Sequence, residues 1–167
     1  MIPTPSTAPI LGIDPGYGTI GWGLVTQNGS SFSCINYGCI TTSPDLSFPD
    51  RLLSLYNELS RLIAQTAPRL VAVEKLFFSK NTKTAIDVSQ ARGVILLTAR
   101  LAKLPVLEFT PLQVKQSVTG YGQADKLQIQ KMVTLLLRLK KHPTPDDAAD
   151  ALAIAICASS ASALLNQ

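Results

Sequence analysis

Pro9-Ile-Leu-Gly-Ile-Asp-Pro-Gly-Tyr-Gly18 is the stretch from which the fold follows. An apolar run too short for a helix stops at Asp14 on an Asp-Pro-Gly turn, which predicts a buried strand with a carboxylate at its carboxyl end. Thr19 to Thr26 is a second apolar run carrying glycines at 21 and 23. The tight turn therefore joins two strands. Ser31 to Thr41 alternates loosely after the Asn28-Gly29 turn signal and adds a third antiparallel strand, so the chain opens as a β-meander.

Beyond the breaker-rich segment Thr42 to Pro49, the residues Leu52, Leu53, Leu55, Tyr56, Leu59, Leu62 and Ile63 recur at helical spacing, with Asp50 as the expected N-cap and Pro68 past the end. Leu70 to Val73 is a short buried strand closed by Glu74. Ala85 to Leu104 reads as a long helix and Val106 to Phe109 as a strand. Leu112 to Val118, Lys126 to Leu139 and Asp147 to Leu165 read as helices. The order βββαβαβα, with one extra helical insertion, predicts an α/β fold: a mixed sheet of three antiparallel strands followed by parallel ones, flanked by helices.

At 167 residues the chain is the size of one domain, expected over residues 10–162, with 1–9 a flexible leader and 163–167 a tail. A hydrophobic share of 46% and a mean hydropathy of +0.22 exclude extensive disorder. The longest apolar run, Ala151 to Ala158, falls far short of the roughly 20 residues of a membrane helix. The start lacks the basic and apolar regions of a signal peptide, so a cytoplasmic location is expected. Cys34, Cys39, Cys157 and the single His142 have neither disulfide nor zinc-site spacing.

Chemistry is sought among the acids. Asp14 and Glu74 close strands, where sheets of this class place their ligands. The last helix begins Asp146-Asp147-Ala-Ala-Asp150, and an N-terminal dipole accounts for Asp146 but not for Asp150. Asp147 and Asp150 share one helix face, and the alanines around them let that helix approach a sheet closely. Carboxylates on so apolar a helix need cations to be tolerated. Asp14, Glu74, Asp147 and Asp150 are an all-oxygen donor set that suits Mg2+, with Mn2+ as a substitute. Two such ions roughly 4 Å apart activate water and stabilise the leaving oxygen in phosphodiester hydrolysis. Setting these four acids aside leaves fifteen basic residues against seven acidic ones, a surface suited to a polyanion. Lys75, Lys80 and Lys83 follow Glu74, and Lys115 and Lys126 flank a glycine loop, all placed to contact phosphate. Phe77, lying between lysines, is placed to stack on an unpaired base.

Gly12-Ile-Asp-Pro-Gly, Val73-Glu74 with Phe77 three residues on, Gln90-Ala-Arg-Gly, Val114-Lys-Gln, Gly120-Tyr-Gly-Gln-Ala-Asp-Lys126 and Asp147-Ala-Ala-Asp-Ala-Leu-Ala stand in the order of the RuvC family, which this chain resembles from about residue 10 to 160. The resemblance implies a ribonuclease H-like fold and a homodimer that resolves four-way (Holliday) DNA junctions by paired Mg2+-dependent nicks in recombination and repair. It also implies a complex with the branch-migration helicase proteins RuvA and RuvB. It matches Asp14, Glu74, Asp147 and Asp150 to the metal-binding carboxylates, Phe77 to a base-stacking aromatic, and Lys115 and Lys126 to lysines near the reacting phosphate. Three departures stand out: Lys75 where glutamine is common, one extra residue before the last helix, and the additional acid Asp146. Two other readings compete, a YqgF-like nuclease acting on RNA and a junction-binding protein without catalysis. A two-fold substrate calls for a two-fold enzyme, and Ala85 to Leu104 is the expected dimer contact because the preceding helix is expected to expose little apolar surface.

Overall fold

The structure, a computed structural model, describes residues 8–76 and 82–165, with the backbone alone at 82–83 and 162–165. The meander forms as expected: β1 (Ile10–Asp14), β2 (Thr19–Asn28) and β3 (Ser31–Thr41) are antiparallel neighbours. β4 (Leu70–Glu74) adds to the free side of β1 in parallel, and β5 (Val106–Phe109) adds to β4 in parallel. The order β3-β2-β1-β4-β5 makes a mixed sheet whose central strand carries Asp14.

Strand periodicity sorts the side chains onto two faces. Leu11, Ile13, Val71 and Val73 point to one face, where α1 (Phe48–Thr66) and α2 (Thr82–Leu101) cover them. Ile10, Leu70, Ala72 and Phe109 point to the other, under α3 (Pro111–Thr119), α4 (Lys126–Leu136) and α5 (Asp146–Leu165). The apolar run Ala151 to Ala158 is wholly buried in α5, and among the described residues no helix is long and apolar enough to cross a membrane.

Several boundaries differ from expectation for local reasons. Ser47, not Asp50, caps α1. The Ser47 hydroxyl accepts from the Asp50 N–H at 3.3 Å and donates to the Asp50 carboxylate at 2.5 Å, while Pro49 sits in the first turn, where a missing N–H breaks no bond. α2 begins earlier than Ala85, at Thr82, and it ends before Leu104 because Lys103 turns left-handed and the chain folds back on Arg100. α4 stops at Leu136 rather than Leu139, just before a left-handed Arg138. The outer face of α1 is also more apolar than expected, with Leu53 56% and Tyr56 37% exposed beside the Glu58–Arg61 ion pair.

Close contact between α5 and the sheet depends on three glycines. A Cβ on Gly12 would lie 2.2 Å from the Ala151 carbonyl oxygen and 2.6 Å from the Ala155 nitrogen. One on Gly21 would lie 1.9 Å from the Asp147 carbonyl oxygen, and one on Gly23 2.7 Å from the Leu152 side chain. Gly12 and Gly23 are cross-strand partners, and Gly21 pairs with Asp14. Gly12→Ala therefore meets backbone that cannot step aside, and we expect it to destabilise the protein by about 1–3 kcal/mol in denaturant unfolding. Gly93→Ala, in open space on α2, should be neutral or stabilising by roughly 0.5–1 kcal/mol. Equal effects at the two positions would refute the close-approach account.

Candidate active site

Alternation along β1 puts Asp14 on the α5 face, as Gly12 is, while Ile13 enters the opposite core. The same alternation places Glu74 beyond Ala72 on β4. Because Ile13 and Val73 are in parallel register, the two acids emerge side by side at the carboxyl edge. The Asp147 backbone rests on Gly21, the strand partner of Asp14, so α5 brings its first acids to this edge. Asp14, Glu74, Asp150, Lys115 and Lys126 line one cavity of about 200 Å³, whose apolar wall is Pro111, Val114, Ile129 and Ala153.

The turn after Asp14 is braced from α1. Arg51 donates to the Thr42 hydroxyl at 2.9 Å and to the Tyr17 carbonyl at 3.3 Å, and its guanidinium lies 4.8 Å from the centroid of the Tyr17 ring. Thr42 in turn donates to the Tyr17 carbonyl at 2.8 Å. Gly16 passes close over Thr19, where a Cβ would lie 2.0 Å from a carbonyl oxygen. Asp14 thus leaves its strand on a fixed course.

Burial of carboxylates in a partly dry cleft dominates the electrostatics, and their crowding adds to it. Burial, then the charges of Glu74, Asp150 and Asp147, push the Asp14 carboxyl up to about 8. Burial and Asp150 push Glu74 up to about 7, against the opposing pull of Lys115. Burial also raises Asp150, although Lys126 pulls it down. Burial works against the Lys126 ammonium, but Asp150 and Asp146 outweigh it and hold that group above its ordinary value. Lys126 Nζ sits 3.2 Å from Asp146 Oδ2 and 3.5 Å from Asp150 Oδ2.

Five of the six residues singled out for catalysis meet in one cavity. Asp147 does not line it, yet its charge is felt at Asp14, Cys39 and Asp150. Lys75 is exposed beside Glu74, and its backbone N–H donates to the Phe109 carbonyl at 2.7 Å. Phe77 and Lys80 lie outside the described residues, and of Lys83 only the helical backbone is described. His142 is exposed, shares a 2.8 Å hydrogen bond with the Thr134 hydroxyl and does not line the cavity. As the side chains stand, no group of three or more His, Cys, Asp or Glu among the described residues is arranged to hold a metal ion.

Two contributions went unassigned in the sequence. Arg92, of the Gln90-Ala-Arg-Gly motif, forms an ion pair with Glu108 on β5 and donates to the Glu74 backbone carbonyl at 3.4 Å, bracing the end of β4 from the opposite face. Asp146, expected to serve the helix dipole and noted as an additional acid beside the metal ligands, binds Lys126 and also accepts from the Gln130 amide at 2.9 Å. The motif and the acidic doublet were visible as signals, but their partners are distant in sequence.

A mixed sheet with strand-end carboxylates, closed by an acidic helix N-terminus, is the ribonuclease H-like arrangement. Residues 10–158 match the family model "Crossover junction endodeoxyribonuclease RuvC". The enzyme of that name from Desulfitobacterium hafniense is 54% identical over 158 residues, covering 95% of this chain and 96% of the relative. Among solved structures, Thermus thermophilus RuvC superposes with a TM-score of 0.84 at 33% identity, covering 93% of this chain and 96% of that one. The same protein in complex with a Holliday junction substrate gives 0.83 at 32% identity, with the same coverage. The chain belongs to the RuvC family of crossover junction endodeoxyribonucleases.

Proposed function

We propose that this protein resolves four-way DNA junctions by metal-dependent hydrolysis, with Asp14, Glu74, Asp147 and Asp150 as ligands of two Mg2+ ions. The observation that carries this reading is the gathering of half-buried carboxylates and two lysines at one sheet edge in a RuvC-family chain. The donor set fits the ion: every ligand is a hard oxygen, and burial together with neighbouring carboxylates raises Asp14 and Glu74, an uncompensated negative charge that a divalent cation would relieve. Side-chain rotation must gather the four groups around it. Mg2+, or Mn2+ in its place, supplies Lewis-acid activation of water and charge stabilisation at the leaving oxygen.

The chain's own residues do the rest. Lys115 on α3 and Lys126 on α4 both line the cavity, hold the scissile phosphate against the acids and offset its charge. The apolar wall of Val114, Ile129 and Ala153 limits bulk water behind it. Lys75, Lys80 and Lys83 extend phosphate contact along the DNA, and Phe77 stacks on a base near the cut. Exposed Leu53, Tyr56, Ile86, Leu97 and Leu101 on α1 and α2 supply apolar surface for a homodimer. RuvA and RuvB complete the cytoplasmic complex, and residues 1–9 and 163–167 flank the nuclease domain.

The test offers the protein a four-way junction, a linear duplex of the same sequence and a folded RNA, each with Mg2+. Cleavage confined to the junction is expected. RNA cleavage would favour the YqgF-like reading, and binding without cleavage a non-catalytic one.

A further inference from the structure

Lys126 is shared between two acids of unequal standing. Asp150 faces the cavity, whereas Asp146, 59% exposed, stands outside it and is itself anchored by Gln130. A cation taken up by Asp150 competes with Lys126 for that carboxylate, and Asp146 remains to receive the ammonium. We propose that Asp146 is a positioning residue: it draws Lys126 off Asp150 and holds it at the cavity mouth, so that a divalent cation binds Asp150 without expelling the lysine. This rests on Asp150 being a metal ligand, as argued above.

The two partners of the ion pair therefore act with opposite signs. Without Asp146, Lys126 settles wholly on Asp150, so Asp146→Asn weakens cation binding. Without Lys126 there is no competitor, so Lys126→Met tightens it. In the Lys126→Met background, Asp146→Asn then has no further effect. Since the ion pair is solvent-exposed, each single change should be roughly two- to five-fold in the dissociation constant.

The measurement is calorimetric titration of the full-length protein with Mn2+ and no DNA, for the wild type, both single variants and the double variant, with Asp150→Asn as reference. Thermal unfolding of each variant confirms that it is folded. Expected is a weakened Asp146→Asn, a tightened Lys126→Met and a double variant equal to Lys126→Met alone. If Asp146→Asn weakens binding by the same factor in both backgrounds, Asp146 acts on the ion directly and the positioning role is overturned. If Asp150→Asn binds Mn2+ as the wild type does, the metal-ligand reading falls first and the positioning role with it.

Discussion

Asp14→Asn, Glu74→Gln and Asp150→Asn should each reduce junction cleavage by roughly 10³-fold or more at saturating Mg2+, several kcal/mol of barrier, because removing one ligand misplaces an ion on which the others depend. Junction affinity should stay the same or tighten, since each change removes a negative charge facing the phosphates. Asp147→Asn should match them. Its place is one turn before Asp150, with its backbone against the strand partner of Asp14. Gel-shift binding beside single-turnover cleavage separates the two effects. Turnover like the wild type's in any one variant removes that residue from the site.

The metal-free protein should lose stability as pH rises through neutrality. Unfolded Asp14 ionises near 3.8, whereas in the fold its pKa is about 8; Glu74 moves from 4.5 to about 7. Between those values the folded chain holds protons that the unfolded chain releases. Stability is therefore greatest at the acid end of this window, falls from about pH 4 to pH 8, and levels off above it. A tenfold difference in proton affinity between the folded and unfolded chains corresponds to about 1.4 kcal/mol, so the two groups together make a loss on the order of 5–10 kcal/mol the upper bound across the window. Asp14→Asn should flatten the slope and stabilise the protein at pH 8, and Mg2+ should raise the melting temperature there more than at pH 5. Denaturant unfolding at pH 5, 6.5 and 8 in EDTA checks the sign. Rising stability over that range would mean that the carboxylates are neither desolvated nor crowded in the fold.

How much of the molecule is legible in its sequence varies by element. Ser31 to Thr41 and Val106 to Phe109 were legible to the residue, because turn chemistry and apolar runs bound them on both sides. Asp14, Glu74 and Asp150 were legible because each is an acid at the end of, or within, an otherwise apolar element. Helix ends were less so. Pro49 resembles a breaker until its place in a first turn is known, and the left-handed Lys103 and Arg138 carry no marker in the sequence. Contacts across the fold were illegible for a different reason. The salt bridge of Arg92 to Glu108 and that of Asp146 to Lys126 join residues whose proximity is set only by strand register and helix packing. Likewise Gly21 and Gly23 suggested a strand, but their use as a seat for α5 follows only once that helix is docked.

In the proposed mechanism each chain carries one carboxylate site that cuts one strand of a four-way junction, so that a dimer cuts two. This is tested most directly by mapping nicks on an end-labelled mobile junction, each strand labelled in turn, with Mg2+ and with EDTA. Nicks are expected at matched positions on two opposing strands of like polarity with Mg2+, and none in EDTA. Nicks on a single strand, or equal cleavage in EDTA, would contradict it.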